Sequence, residues 1–226
     1  MDKKKQVKRI FDSIAYRYDF LNHFLSVGID IYWRKKSLKL SEINRHSVLL
    51  DVACGTGDFA IEARKLGVKN ITGADLSYNM LKFFNAKSEW SRGNIIQCVA
   101  ENLPFNSGTF THITVAFGVR NFFDIAEAFK NFNTVLKDGG KAIVLEFQLP
   151  KNIIIRKGYL FYFNKVLPAI GKLISKDKEA YTYLPESVNQ FDSNVNLVKL
   201  FKEAGFDKVS VKSLTFGIAQ ITIAEK

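Results

Sequence analysis

Residues 47–54 read Ser-Val-Leu-Leu-Asp-Val-Ala-Cys and run straight into Gly55-Thr56-Gly57-Asp58. An apolar run without polar alternation has no face for solvent. It predicts a strand buried on both sides, as in a parallel sheet covered by helices. The glycines that follow let the backbone turn and lie close to a ligand with no Cβ in the way. Residues 58–66 then read as a short helix stopped by Gly67. The same alternation continues down the chain. Residues 71–76 form a second strand, and Ser77 is a good N-cap for a helix to about Ala86. Strands are expected at 95–100, 112–117 and 141–147, with a helix at 125–136 ended by Asp138-Gly139-Gly140. This is the pattern of a doubly wound α/β fold with helices on both faces of the sheet. Near the end, Asn194 is expected to cap a helix to Ala204, stopped by Gly205, before strands at 209–214 and 218–224. The turn Thr215–Gly217 is too short for a crossover helix, so these two strands should be antiparallel. The expected sheet has seven strands, mainly parallel, with an antiparallel last strand.

Two segments lie outside this alternation. Residues 1–40 are basic, aromatic and expected to be helical, and residues 150–190 interrupt the chain between the fifth strand and the last helix. A single domain, 1–226, is thus expected to divide into an N-terminal cap (1–40), a cofactor-binding core (41–149), an insertion or lid (150–190) and a closing helix and hairpin (191–226). The insertion holds thirteen large apolar residues between Ile153 and Ile174, and a segment that apolar should cover something apolar. Of the net charge of +11, residues 1–40 contribute ten Lys or Arg against four Asp, and residues 151–176 contribute six against none. Those two segments sum to +12 and leave −1 for the rest. The plain reading is a solubilising surface. The sharper one is an anionic partner, either nucleic acid or a membrane surface carrying acidic lipid. No run of 18 apolar residues and no apolar stretch after Met1-Asp2-Lys3 is present, so neither a spanning helix nor a secretory signal is expected. Cys54 and Cys98 make no metal spacing and no disulfide framework. The expected location is the cytoplasm.

The glycine turn lies where doubly wound sheets bind ligands, at a strand's carboxyl end. Gly55 and Gly57 would let the backbone approach, and Asp51 is placed to meet a cationic or amino group of the ligand. Asp75 closes the second strand, where a carboxylate can accept both hydroxyls of a ribose. The segment from Ala100 to Phe105 follows the third strand, and an acidic group there, Glu101, commonly lies beside an adenine ring. Gly55 to Ala60 also fits the loose G-x-G-x-x-A dinucleotide pattern. A carboxylate at Asp51 would sit badly beside a pyrophosphate, so S-adenosylmethionine is the better reading. A tight turn with a structural Asp and no ligand is the plain alternative.

More specific blocks surround these positions: the run from Phe11 through Tyr18 to Asn22, Leu25 to Gly28, Trp33-Arg34, Phe117-Gly118-Val119-Arg120-Asn121, Leu145-Glu146-Phe147, Leu167-Pro168 and Tyr183 to Ser187. With them the chain resembles the menaquinone/ubiquinone biosynthesis C-methyltransferases along nearly its whole length. The resemblance implies a class I S-adenosylmethionine methyltransferase fold. It also implies methyl transfer to a ring carbon of a polyprenylated quinol, with demethylmenaquinol to menaquinol as the expected reaction. Benzoquinol methylation in ubiquinone synthesis is the alternative. Matching positions imply cofactor contacts at Thr56, Asp75, Val99 and Ala100, with Ala116 at the end of the fourth strand. Two departures stand out: Ala53 replaces the first glycine of the general loop, and Val99 can offer only backbone.

Carbon methylation needs an electron-rich ring, so charge must develop on a phenolic oxygen beside a cation. Arg120, just past the fourth strand, suits that role, and its pKa is too high for a simple base. Asn121 and Tyr18 would orient the quinol. The plain readings are a loop anchor for Arg120 and a lid contact for Tyr18. His23 is the best of three poorer candidates for a base; His46 and His112 fall at strand starts. No metal is expected. A nucleic-acid partner is not expected either, because residues 116–120 lack the Asn-Pro-Pro-Tyr-like box of base methylators. An RNA or other small-molecule methyltransferase, or a non-catalytic binding protein, is the competing class. An anionic membrane surface is the expected partner, met from the inner face of the membrane.

Overall fold

A computed structural model describes residues 3–19, 23, 26–166 and 178–226. The cap opens with α1 (Lys3–Ile14) and continues with α2 (Ile29–Leu40). The core then runs β1 (Val48–Val52), α3 (Asp58–Lys65), β2 (Asn70–Asp75), α4 (Tyr78–Lys87), β3 (Ile95–Gln97), β4 (Phe110–Ala116), α5 (Ile125–Val135) and β5 (Leu136–Phe147). The insertion supplies α6 (Ile153–Phe161), a π-helical turn (Tyr162–Val166) and α7 (Lys178–Asn194), and the chain closes with α8 (Leu197–Glu203), β6 (Lys208–Leu214) and β7 (Ala219–Glu225). Leu167, Pro168, Ile170, Lys172, Leu173 and Ile174 of the insertion, and residues 20–22, 24 and 25 of the N-terminal blocks, lie outside the described residues.

The strands form one seven-stranded sheet in the order β3-β2-β1-β4-β5-β7-β6. All neighbouring pairs from β3 to β5 are parallel, while β7 runs antiparallel to both β5 and β6. Strand order reverses between β1 and β4, which opens a crevice at their carboxyl ends. Both faces of the sheet are covered, as the unbroken apolar run in β1 requires. Leu50 packs on one side with Phe129, Phe132, Phe201 and Phe206, while its neighbour Leu49 packs on the other with Trp33, Phe59, Phe84 and Ile143. Phe129 of α5 and Phe201 of α8 stack at 3.8 Å between centroids and lock those helices together.

Local chemistry fixes several boundaries. The Ser77 hydroxyl accepts from Met80 N at 3.1 Å and starts α4 where the sequence places it. The final helix is a correction: Asn196, not Asn194, caps it, accepting from Lys199 N at 3.1 Å, and Asn194 instead ends α7. The third strand is another: β3 stops at Gln97; Cys98 N still donates to the carbonyl of Asp75 at 3.1 Å, but Val99 turns away to pair with Asn102, and both residues line a cavity. The fifth strand begins earlier than expected, at Leu136, with an irregular register against β4 between Phe110 and His112. Gly57 stands at φ +87°, and a Cβ there would lie 2.2 Å from the Phe84 ring, so this turn needs glycine twice over.

Candidate active site

Two cavities lie at the carboxyl ends of the strands, and they share the side chains of Phe11, Tyr18 and Phe117. The smaller, about 80 Å³, is walled by Gly55, Asp75, Val99, Ala100, Glu101 and Ala116. Six of the nine positions assigned to the cofactor thus converge on it. Its two hinges are strained: Ala53 (φ +51°) after β1 and Phe117 (φ +58°) after β4 both hold the left-handed conformation without being glycine. The left-handed backbone at Ala53 explains why the general loop carries glycine there.

Asp75 accepts from Gly55 N at 2.8 Å and Ser77 N at 2.7 Å, joining the glycine turn to the start of α4. Burial outweighs those bonds and pushes its carboxyl up to about 6. Glu101 turns its carboxylate onto Phe123 N (2.6 Å) and Asp124 N (3.1 Å), so it braces the loop beneath the cavity.

Three of the cofactor candidates face elsewhere. Asp51 is 1% exposed and does not line the cavity. Its carboxylate accepts from Thr114 Oγ1 at 2.7 Å and Ala60 N at 3.2 Å, tying the first turn of α3 to β4. Desolvation raises it to about 7. It ties the turn to β4 from outside the cavity's walls. Thr56 is buried and donates to Asp19 of the cap. Gly57 faces Phe84.

The cap closes the smaller cavity. Lys3 donates to the carbonyl of Phe122, Asp12 pairs with Ser77, and Val7, Phe11 and Tyr18 complete the wall. Farther along, Lys87 donates to Asp19 and to Asp58, each at 2.7 Å. His23 Nδ1 meets Asp30 Oδ2 at 2.9 Å, and Arg34 pairs with the same carboxylate. Although His23, Asp30 and Asp58 offer three ligand atoms within 4.8 Å, Arg34 and Lys87 already compensate both carboxylates. The group is an ion-pair lattice that ties the cap to the glycine turn. His23 lines neither of the two cavities, which leaves it poorly placed as a base.

The larger cavity, about 280 Å³, is lined mostly by apolar and aromatic groups, among them Ile10, Trp33, Phe147, Tyr162 and Phe163. Its polar margin includes Arg120. That side chain is 6% exposed and donates through Nη1 to the carbonyl of Phe117 and, at 2.7 Å, to Glu146 Oε1. Glu146 is fully buried in β5, where a lone carboxylate would be very costly without its partner. Arg120 also lies over the Phe147 ring at 5.7 Å. Asn121 lines the smaller cavity and accepts from the hydroxyl of Tyr183, which lines the larger, at 2.8 Å. Tyr18, Asn121 and Arg120 thus stand along the boundary between the two spaces. The reading of the residues missed the roles of Glu146 and Tyr183. A carboxylate in the apolar run 142–147 was the available signal, because a charge there requires a cation.

These features have relatives. Residues 1–226 match the model of the ubiE/COQ5 methyltransferase family. The chain is 41% identical to a demethylmenaquinone methyltransferase of Chlorobaculum tepidum, over 99% of this chain and 93% of that protein. It is also 41% identical to the ubiquinone/menaquinone biosynthesis C-methyltransferase UbiE of Geotalea daltonii, over 100% of this chain and 98% of that protein. A solved S-adenosylmethionine-dependent methyltransferase of Thermotoga maritima, described as a possible histamine N-methyltransferase, superimposes with a TM-score of 0.65 at 18% identity. That pair covers 96% of this chain and 99% of the other, a likeness of fold. Matched along its full length in sequence and built on the same sheet, the chain belongs to the ubiE/COQ5 methyltransferase family.

Proposed function

We propose that the protein transfers a methyl group from S-adenosylmethionine to a ring carbon of a polyprenylated quinol, converting demethylmenaquinol to menaquinol. The observation that carries this reading is the position of Arg120. A buried carboxylate holds it on the wall of an apolar, aromatic cavity, and that cavity shares side chains with the one containing Asp75. The smaller cavity fits the cofactor's chemistry: Asp75 can accept from a ribose diol, while Leu76, Met80, Val99 and Phe122 present apolar walls to adenine. When bound, S-adenosylmethionine supplies an electrophilic methyl group.

The protein's own residues supply the rest. A phenol becomes a carbon nucleophile as its O–H proton passes to water at the cavity mouth, and Arg120 stabilises the charge that collects on the oxygen. Glu146 keeps the guanidinium in place. The aromatic walls exclude water, which strengthens that interaction. As the new C–C bond forms, the methyl–sulfur bond breaks with release of S-adenosylhomocysteine; the ring carbon then loses its proton to water at the cavity mouth and aromaticity returns. The relatives' names support the naphthoquinol over the benzoquinol. The test is incubation of purified protein with methyl-labelled donor and either demethylmenaquinol or the demethylated benzoquinol in detergent. Label should enter the naphthoquinol ring, and no label in either quinol overturns the reading.

A substrate with a long prenyl chain resides in a bilayer, so we infer that the protein docks peripherally on the inner face of the membrane. No helix among the described residues is long and apolar enough to cross one. The insertion instead exposes Ile153, Ile154 and Phe161 on α6, beside exposed Lys151, Arg156, Lys157 and Lys165. Phe216 is 80% exposed in the β6–β7 turn, and the adjoining Gly217 packs against Pro150, just ahead of α6. Apolar groups that dip into the interface amid cations suit acidic lipid. Vesicles containing anionic lipid should bind the protein in a salt-sensitive way. Replacing Arg156, Lys157 and Lys165 with Gln should weaken binding by about 1 kcal/mol per charge and leave S-adenosylmethionine affinity unchanged. No sedimentation with vesicles at low salt would sink the docking reading.

A further inference from the structure

Tyr159 of α6 lines the larger cavity and is 7% exposed. Its ring packs on Phe163 at 4.2 Å between centroids, within the small core that joins the insertion to β5. Its hydroxyl is buried and has no hydrogen-bond partner among the described residues. Such a group is unfavourable in an apolar surrounding and calls for a specific explanation. A second open donor, Arg120 Nε, stands in the same condition on the same cavity. The electrostatic neighbours of the Tyr159 phenol are Arg120, Glu146 and Asp192, and burial pushes its pKa upward, so the phenol stays protonated and able to donate. Tyr183 differs, because its proton is already given to Asn121.

We propose that Tyr159 is a second hydrogen-bond donor, beside Arg120, to the ring oxygen that becomes phenolate when a quinol is methylated. The proposal rests on the quinol reading above. Both atoms are covered in the ligand-free protein, so a ring oxygen reaches them through a small rotation of the two side chains; it then satisfies both donors, and a pair of donors stabilises the anion more than one. Because Tyr159 comes from the insertion, seating the ring would also join the lid to Arg120.

The test is Tyr159→Phe, which keeps the ring and its packing on Phe163. Turnover of demethylmenaquinol should fall by roughly tenfold to a hundredfold, with cofactor affinity unchanged. The rising limb of the pH–rate profile should move to higher pH, since the bound phenol ionises less readily with one donor gone. A readout independent of turnover uses a 2-alkyl-1-naphthol, whose phenol and phenolate absorb differently. Its bound pKa should be lowered by the native protein and rise by about one unit in the variant, as for a tenfold loss of anion stabilisation. The ligand-free variant should melt no lower than the native protein, because the hydroxyl it lacks had no partner. An unchanged pH profile and an unchanged naphthol pKa would overturn the proposal, as would a variant that melts clearly lower. If the native protein methylates no quinol, the functional reading fails, while the naphthol titration still decides whether Tyr159 donates to a phenolic oxygen.

Discussion

Arg120→Ala is expected to lower turnover by roughly a hundredfold or more and, as a separate effect, to destabilise the fold. The two losses have different origins. Turnover falls because the cation beside the developing phenolate is gone. Stability falls because Glu146, fully buried in β5, loses its partner at 2.7 Å. Removing one member of a buried pair typically costs about 3–5 kcal/mol, whereas replacing both by apolar groups is often neutral. The double variant Arg120→Met/Glu146→Met should therefore recover most of the stability and none of the activity. Denaturant titration and steady-state kinetics on the two variants separate these effects. Near-normal turnover in either variant would return Arg120 to the role of a loop anchor. Cofactor affinity should change little, because Arg120 lines the larger cavity rather than the one with Asp75.

The sheet was legible because its signals are local. Uninterrupted apolar runs, a Ser77 cap and glycines at turns each act within a few residues, and the short turn before β7 dictates its antiparallel pairing. The errors fall where tertiary demands override that logic. Val99 has a strand-like side chain, yet it turns away from the sheet to pair with Asn102 and wall a cavity. In the site, Asp75 and Ala100 could be placed because strand ends converge in any doubly wound sheet, whereas Val99 came only from the family resemblance. Asp51 could not, because whether a carboxylate at a strand end faces the crevice or the helix behind it depends on where the strand stops. Glu146 and Arg120 lie 26 residues apart, and Asp19 reaches Thr56 across 37. Pairings of that kind are set by the fold, and no periodicity announces them. The open hydroxyl of Tyr159 is legible only in three dimensions, since it is defined by what surrounds it.

Asp75→Asn should move cofactor binding and ligand-free stability in opposite directions. A carboxylate that accepts from a ribose diol makes charge-assisted bonds, so losing its charge should weaken S-adenosylmethionine binding by about 1–3 kcal/mol. Without ligand, the same charge is a burden. The folded-state pKa, about 6, lies above the ordinary value of 3.8 because of desolvation, even with two backbone N–H donors in place. A group raised in this way gives its full stability below the unfolded pKa and loses it as pH rises through the folded one. The loss is complete above pH of about 6 and amounts to at most about 3 kcal/mol. The uncharged variant should therefore melt higher than the native protein at pH 8 when both are ligand-free, by less than that amount because its amide nitrogen cannot accept from one of the two backbone N–H groups. The advantage should shrink as pH falls from about 6 toward 4. Asp51 is raised to about 7 chiefly by the same desolvation but also by the Asp75 charge, so in the variant it should titrate somewhat lower than in the native protein. Native cofactor affinity should itself weaken by about tenfold at pH 5, one unit below the folded pKa, and the variant should show no such dependence. Calorimetry at pH 8 and pH 5, with melting curves at the same two values, reads all four quantities. Equal affinity of the two folded proteins at pH 8 would remove Asp75 from the cofactor site and leave it as the brace between the glycine turn and α4.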